Sequence, residues 1–159
     1  MTFRLDDKTA LHGVVQQMQK IGQYVRESGM DHNLLELMSM RTSQINGCAY
    51  CLAMHTKVLR EAGEREDRLA VLSAWRETGW FSDRERAALA WTEAVTTLEH
   101  REVPDEVYEQ ARAEFSEKEL VELTWAVIAT NTANRFSIAF HYPAAPFTID
   151  ANEVVAAAG

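Results

Sequence analysis

Only two cysteines, three prolines and seven glycines interrupt a chain of 159 residues. So little proline and glycine excludes collagen-like and low-complexity architectures and leaves few breaks between regular segments. Two cysteines cannot build a disulfide-rich scaffold or a four-cysteine zinc site. No run of five basic residues occurs, and 16 Lys and Arg against 24 Asp and Glu leave a formal charge of −8. That balance argues against nucleic acid and anionic membranes as partners, because both repel it. No window approaches the roughly 18 apolar residues of a membrane span. The opening MTFRLDDKTALHGVVQQMQK lacks the apolar core of a signal peptide. These features predict a cytoplasmic protein, in which structural disulfides are rare. The cysteine pair therefore needs another explanation.

What is present is helical periodicity, with no hairpin signal and no internal repeat. A first helix is predicted from about Asp6 to Ser28, with Leu11, Val14, Val15, Met18, Ile21 and Val25 on one face and Gly29 as a stop. A second spans roughly Asp31 to Gln44. Asn46-Gly47 marks a turn, and a third helix opens beside Cys48 and stops at Gly63. A shorter piece holds Leu69, Val71, Leu72 and Trp75. Ser82 and Glu85 form a capping box that launches a helix through Leu98, and Pro104 suits the first turn of the next, which runs to Phe115. A second capping box, Ser116 and Glu119, starts the last helix, which ends before Pro143. Its stretch from Leu120 to Ala129 is apolar on most sides, which predicts a central core helix. The expected architecture is an all-α, single-domain bundle of about six to seven helices over residues 1–145, followed by a patternless tail over 146–159.

The chemistry concentrates in the run from Glu36 to His55. On an ideal helix, positions 48, 51 and 55 project within roughly 60° of one another. Residues three apart have Cα atoms about 5 Å from each other, within disulfide range. Cys48 and Cys51 can therefore close and reopen without unfolding the helix. So short a loop gives little stabilisation, which suits a working disulfide better than a staple. Placement in the first helical turn favours thiolate, and His55, one turn after Cys51, can take the thiol proton. Attack on a hydroperoxide would oxidise Cys51 to a sulfenic acid, with Cys48 adjacent to condense with it.

The segment resembles the core motif of the AhpD-like alkylhydroperoxidases, within the carboxymuconolactone decarboxylase-like superfamily. That motif is a glutamate, eleven residues, Cys-x-x-Cys, three residues and a histidine, filled here by Glu36, Cys48, Cys51 and His55. Ser43-Gln-Ile-Asn-Gly-Cys-Ala-Tyr-Cys, His55-Thr-Lys, Ala62-Gly63, Trp75-Arg-Glu, Phe81-Ser-Asp-Arg-Glu-Arg and Asn131-Thr-Ala-Asn-Arg-Phe are similar as well. The likeness extends over residues 10–142. It implies an all-helical fold and a proton relay in which Glu36, directly or through a water, acts on His55, which deprotonates Cys51. Cys51 would attack the peroxide and Cys48 would resolve it. No bound cofactor is implied; the expected partners are an organic hydroperoxide, an external dithiol reductant of the lipoyl type, and further copies of the chain as a trimer or hexamer. Characterised members carry a histidine immediately before the second cysteine, where this chain has Tyr50, a phenol that donates hydrogen bonds but is a poor base.

Zinc is the chemical alternative for Cys-x-x-Cys-x-x-x-His, but only Glu36 stands near in sequence as a fourth ligand and no metal is expected. Two other functions remain open: a redox-responsive oligomer without turnover, and lactone decarboxylation, which needs no dithiol. His12, His32, His100 and His141 lack motif partners and read as surface or structural. Trp75, Trp91 and Trp125 read as core and Trp80 as loop. Asn131, Asn134 and Arg135 read as an interhelical polar network or subunit contact.

Overall fold

A computed structural model describes residues 2–5 and 12–144. Among these residues the regular structure is helical throughout: α1 (His12–Glu27), α2 (His32–Asn46), α3 (Ala49–Glu61), α4 (Glu66–Val71), α5 (Asp83–Thr97), α6 (Asp105–Glu114) and α7 (Glu117–Ala139). Short 3-10 turns at Leu72–Glu77 and Glu99–Arg101 complete the path. The all-α bundle is as expected from periodicity. Residues 6–11, assigned above to the first helix, and the tail from 146 lie outside the described residues. None of the described helices is long and apolar enough to cross a membrane.

Local signals set most boundaries. Asp31 caps α2 by accepting the Leu34 amide at 2.8 Å, and Gly47 closes it in the left-handed region at φ 70°. Both capping boxes form, Ser82 with Glu85 on α5 and Ser116 with Glu119 on α7. Two boundaries differ from expectation. Pro104 is the residue before α6 and not in its first turn. Leu98 is not helical but caps α5 at φ 45°, a strained conformation for a branched residue that no sequence signal announces.

Helix α2 packs against α3, α5 and α7, and its residues enter both apolar clusters. Leu34, Leu35 and Met38 meet Ala88, Trp91, Leu123 and Val127 on one side. Leu37 and Met40 meet Leu59, Leu72, Trp75 and Leu89 on the other. Ala87 and Ala88 are fully buried on α5; their small side chains let helices approach closely. Glu93 of α5 ties α2 to the Leu72–Glu77 turn, taking Arg41 Nε at 2.7 Å, Trp75 Nε1 at 2.9 Å and Arg76.

The expectation for α7 needs correction. It packs against α1, α2, α3, α5 and α6, yet Val121, Trp125 and Ile128 are exposed. Trp125 is therefore not core, whereas Trp75 and Trp91 are buried and Trp80 is exposed. A helix that is apolar all round gives no sequence cue as to which flank goes uncovered.

On its inner side α7 carries a polar seam against α2. Asn46 Nδ2 donates to the Asn131 and Asn134 side-chain oxygens, each at 2.9 Å. Asn134, fully buried, donates to Ser43 Oγ at 3.1 Å. Ser39 and Thr130 share a hydroxyl contact at 3.0 Å. Buried polar groups of this kind are costly unless paired, so the seam fixes the register of α7 on α2. Asn131 and Asn134 thus form the interhelical network expected, while Arg135 bonds back to Asn131 on its own helix.

Candidate functional site

The α2–α3 connection builds the site. Gly47 turns the chain, and Cys48 becomes the N-cap of α3 with extended φ −85° and ψ 96°. Ideal-helix angles therefore hold for Cys51 and His55 but not for Cys48. The pair still meets: Cys48 and Cys51 form a disulfide with Cα atoms 5.4 Å apart. The Cys51 amide points at the Cys48 sulfur at 3.4 Å, so the open N-terminal end of α3 faces this sulfur. Both cysteines are buried.

Glu36, one helix away, meets His55 directly. Its Oε2 lies 2.8 Å from His55 Nδ1, with both side chains largely buried. A carboxylate accepts hydrogen bonds, so this contact favours the tautomer with the proton on Nδ1, which in a neutral imidazole leaves the Nε2 lone pair free. A base oriented in this way by a carboxylate is a recurrent arrangement for activating a nucleophile.

Cys51, His55, Glu36 and Tyr50 all line one cleft of about 650 Å³, walled by α1, α2, α3 and α7. Cys48 is not among its lining residues. The two cysteines are thus inequivalent: Cys51 lines the cleft and Cys48 does not. Tyr50 packs edge-on against Tyr142 at 4.9 Å. Burial, with a smaller effect of Tyr142, pushes its phenol above the ordinary value. The group stays protonated near neutrality and serves as a donor or wall, not as a base.

The apolar face of α1 has a purpose different from the one its pattern suggests. Only Val25 is buried in the core, whereas Val15, Met18 and Ile21 line the cleft and Val14 is exposed. His32, read above as surface or structural, also lines it. Ser137 was given no role by the sequence. Its hydroxyl lies 3.8 Å from the Cys51 sulfur. A faint signal exists, because Thr130, Asn134 and Ser137 form a polar stripe at helical spacing on an apolar helix. Among the described residues no three His, Cys, Asp or Glu side chains gather as metal ligands.

Comparison with known proteins shows the family and the fold. Residues 13–94 match the model of the carboxymuconolactone decarboxylase family. The uncharacterised protein YdfG of Bacillus subtilis is 38% identical over 122 residues, 77% of this chain and 83% of its own. A shorter stretch of 45 residues, 28% of this chain and 26% of the relative, is 53% identical to the alkyl hydroperoxide reductase AhpD of Mycobacteroides abscessus. A crystal structure from Agrobacterium tumefaciens, of a protein of unknown function assigned to antioxidant defence as an AhpD, superimposes with a TM-score of 0.86 at 35% identity, covering 91% of this chain and 99% of that one. The chain belongs to the carboxymuconolactone decarboxylase family, as an AhpD-like member carrying a Cys-x-x-Cys pair at disulfide distance.

Proposed function

We propose that the protein is a thiol-dependent peroxidase of the alkylhydroperoxidase type. The observation that carries this reading is a cleft-facing Cys51, disulfide-linked to Cys48, in one cavity with a histidine whose Nδ1 is held by Glu36. In the reduced protein, Nε2 of His55 takes the Cys51 thiol proton. The thiolate attacks a peroxide oxygen, the O–O bond breaks, and the alcohol leaves with the proton returned by His55. Cys51 is now a sulfenic acid. Cys48 displaces its hydroxyl as water, forming the disulfide. A protein-borne or small dithiol, of the lipoyl type by family resemblance, then supplies two electrons and two protons. Cys48 and Cys51 return to thiols as that dithiol closes to its own disulfide.

The test is turnover of an organic hydroperoxide with a dithiol reductant. The reading predicts turnover in wild type and its loss in Cys51→Ser. Equal, slow peroxide loss in both proteins would refute it.

Assembly with further copies of the chain belongs to the same proposal. Its support is the uncovered flank of α7, where exposed Val121, Trp125 and Ile128 adjoin Tyr24. Tyr24 donates to Oε1 of the buried Glu122 at 3.2 Å, while Glu122 Oε2 is buried without a partner among the described residues. A second copy covering this flank can supply the missing donor. Sedimentation of wild type as an oligomer and of Val121→Asp as a smaller species is expected; a monomeric wild type contradicts it.

A further inference from the structure

We propose that the substrate of this cleft is a hydroperoxide with a long apolar body and a single carboxylate, the fatty-acid hydroperoxide class, and that Arg26 binds the carboxylate. The proposal rests on the peroxidase reading and adds the substrate's chemistry to it.

Its starting point is the charge inventory of the cleft. Among the described lining residues Arg26 and Glu36 carry fixed charge, beside His32 and His55. Glu36 is committed to His55. Arg26, in the last turn of α1, makes no ion pair or hydrogen bond with any other side chain or backbone group among the described residues. Its guanidinium folds back over Gly22, with Nη1 3.2 Å from where a Cβ would stand. Gly22 and Arg26 both line the cleft. The guanidinium thus lies along the cleft wall beside Gly22.

Most of the remaining wall is apolar, with Val15, Met18 and Ile21 from α1 and Phe136 and Phe140 from the end of α7, and its polar members, among them Ser39, Thr130 and Ser137, are uncharged. A cavity of about 650 Å³ falls in the range that encloses a drug-sized ligand. Hydrogen peroxide or a small alkyl peroxide would leave most of this apolar surface in contact with water. A chain of many methylenes would cover it. One planar, permanently charged guanidinium matches one carboxylate, which it can hold through two parallel hydrogen bonds. A multiply charged anion would find no second fixed cation among the described lining residues and would meet a chain of net charge −8. With the carboxylate at Arg26 and the hydroperoxide several carbons along, the reacting oxygen can reach Cys51 in the same cleft.

Two measurements separate this proposal from the peroxidase reading. The first is calorimetric titration of the full-length oxidised protein with decanoate, using 1-decanol as the neutral control. Wild type should bind decanoate the more tightly. Arg26→Gln should reduce the decanoate-to-decanol affinity ratio about tenfold, equivalent to ~1.4 kcal/mol, and Arg26→Lys should recover part of it. Decanoate affinity unchanged in both variants, or no preference in wild type, overturns the carboxylate site. The second compares a fatty-acid hydroperoxide with its methyl ester as substrates. The acid-to-ester ratio of kcat/KM should fall about tenfold in Arg26→Gln. Turnover of both with an unchanged ratio overturns the carboxylate site alone. No turnover of either, alongside selective decanoate binding, overturns the peroxidase reading and leaves the site standing.

Discussion

Ser137 of α7 places its hydroxyl 3.8 Å from the sulfur of Cys51, a residue 86 positions earlier in the chain. Because the disulfide sulfur carries no proton, the hydroxyl is the donor. In the reduced protein the same hydroxyl stands ready to donate to a thiolate, and hydrogen bonds to charged groups are the stronger kind. Removing it in Ser137→Ala should slow alkylation of reduced Cys51 at neutral pH by about 3- to 10-fold. Iodoacetamide kinetics followed by mass spectrometry checks this. An unchanged rate would reduce Ser137 to a packing residue.

The Glu36–His55 contact predicts a graded loss. His55→Gln removes the base and should slow oxidation of Cys51 by hydroperoxide about 10²- to 10⁴-fold. Glu36→Gln keeps an oxygen that can accept from Nδ1 but loses the charge, so a smaller fall of about 10- to 100-fold is expected. Stopped-flow measurement of the two variants gives the order. Glu36→Gln slower than His55→Gln would contradict a role for Glu36 exercised through the imidazole.

Stability should depend on acid in a way that traces to Glu119. Its carboxylate accepts from the Ser116 amide and hydroxyl, each at 2.8 Å, and from Arg84 at 2.6 Å. The Ser116 bonds first, and then Arg84, hold it at about 2 against an ordinary 4.5. A depressed folded value means stabilisation that is complete above the unfolded value near 4.5 and lost as pH falls toward about 2. The group is partly exposed, so after solvent screening the contribution is about 1 kcal/mol. Glu119→Gln should lower Tm by about 3 °C at pH 7, and the gap should close by pH 2. Thermal unfolding at the two pH values measures it; a constant gap would assign the loss to packing.

The parts of this molecule that depend on local chemistry were legible without coordinates. Capping boxes at Ser82 and Ser116, the Gly47 turn and the helical spacing of Cys51 and His55 each act within a few residues, and each is present as expected. Glu36 could be placed beside His55 only through family resemblance, because Leu35 and Leu37 do not say which way it faces. Contacts made across the bundle left little trace in the sequence. Ser137 near Cys51, and Arg26 and His32 in the cleft wall, depend on how α1 and α7 lie against α3. The α1 stripe announced an apolar face but not that much of it would line a cavity. The outward turn of Trp125 was hidden for the same reason: which side of an apolar helix stays bare is decided by its neighbours.

The division of labour between the two sulfurs is the claim on which the mechanism turns. It is tested most directly by treating reduced Cys48→Ser with one equivalent of an organic hydroperoxide in the presence of dimedone and locating the adduct by mass spectrometry. The account predicts a single dimedone adduct on Cys51, the cleft-facing sulfur, and none on Cys48 in the reciprocal Cys51→Ser protein. Rapid adduct formation on Cys48 of Cys51→Ser, with Cys51 of Cys48→Ser unmodified, would contradict it.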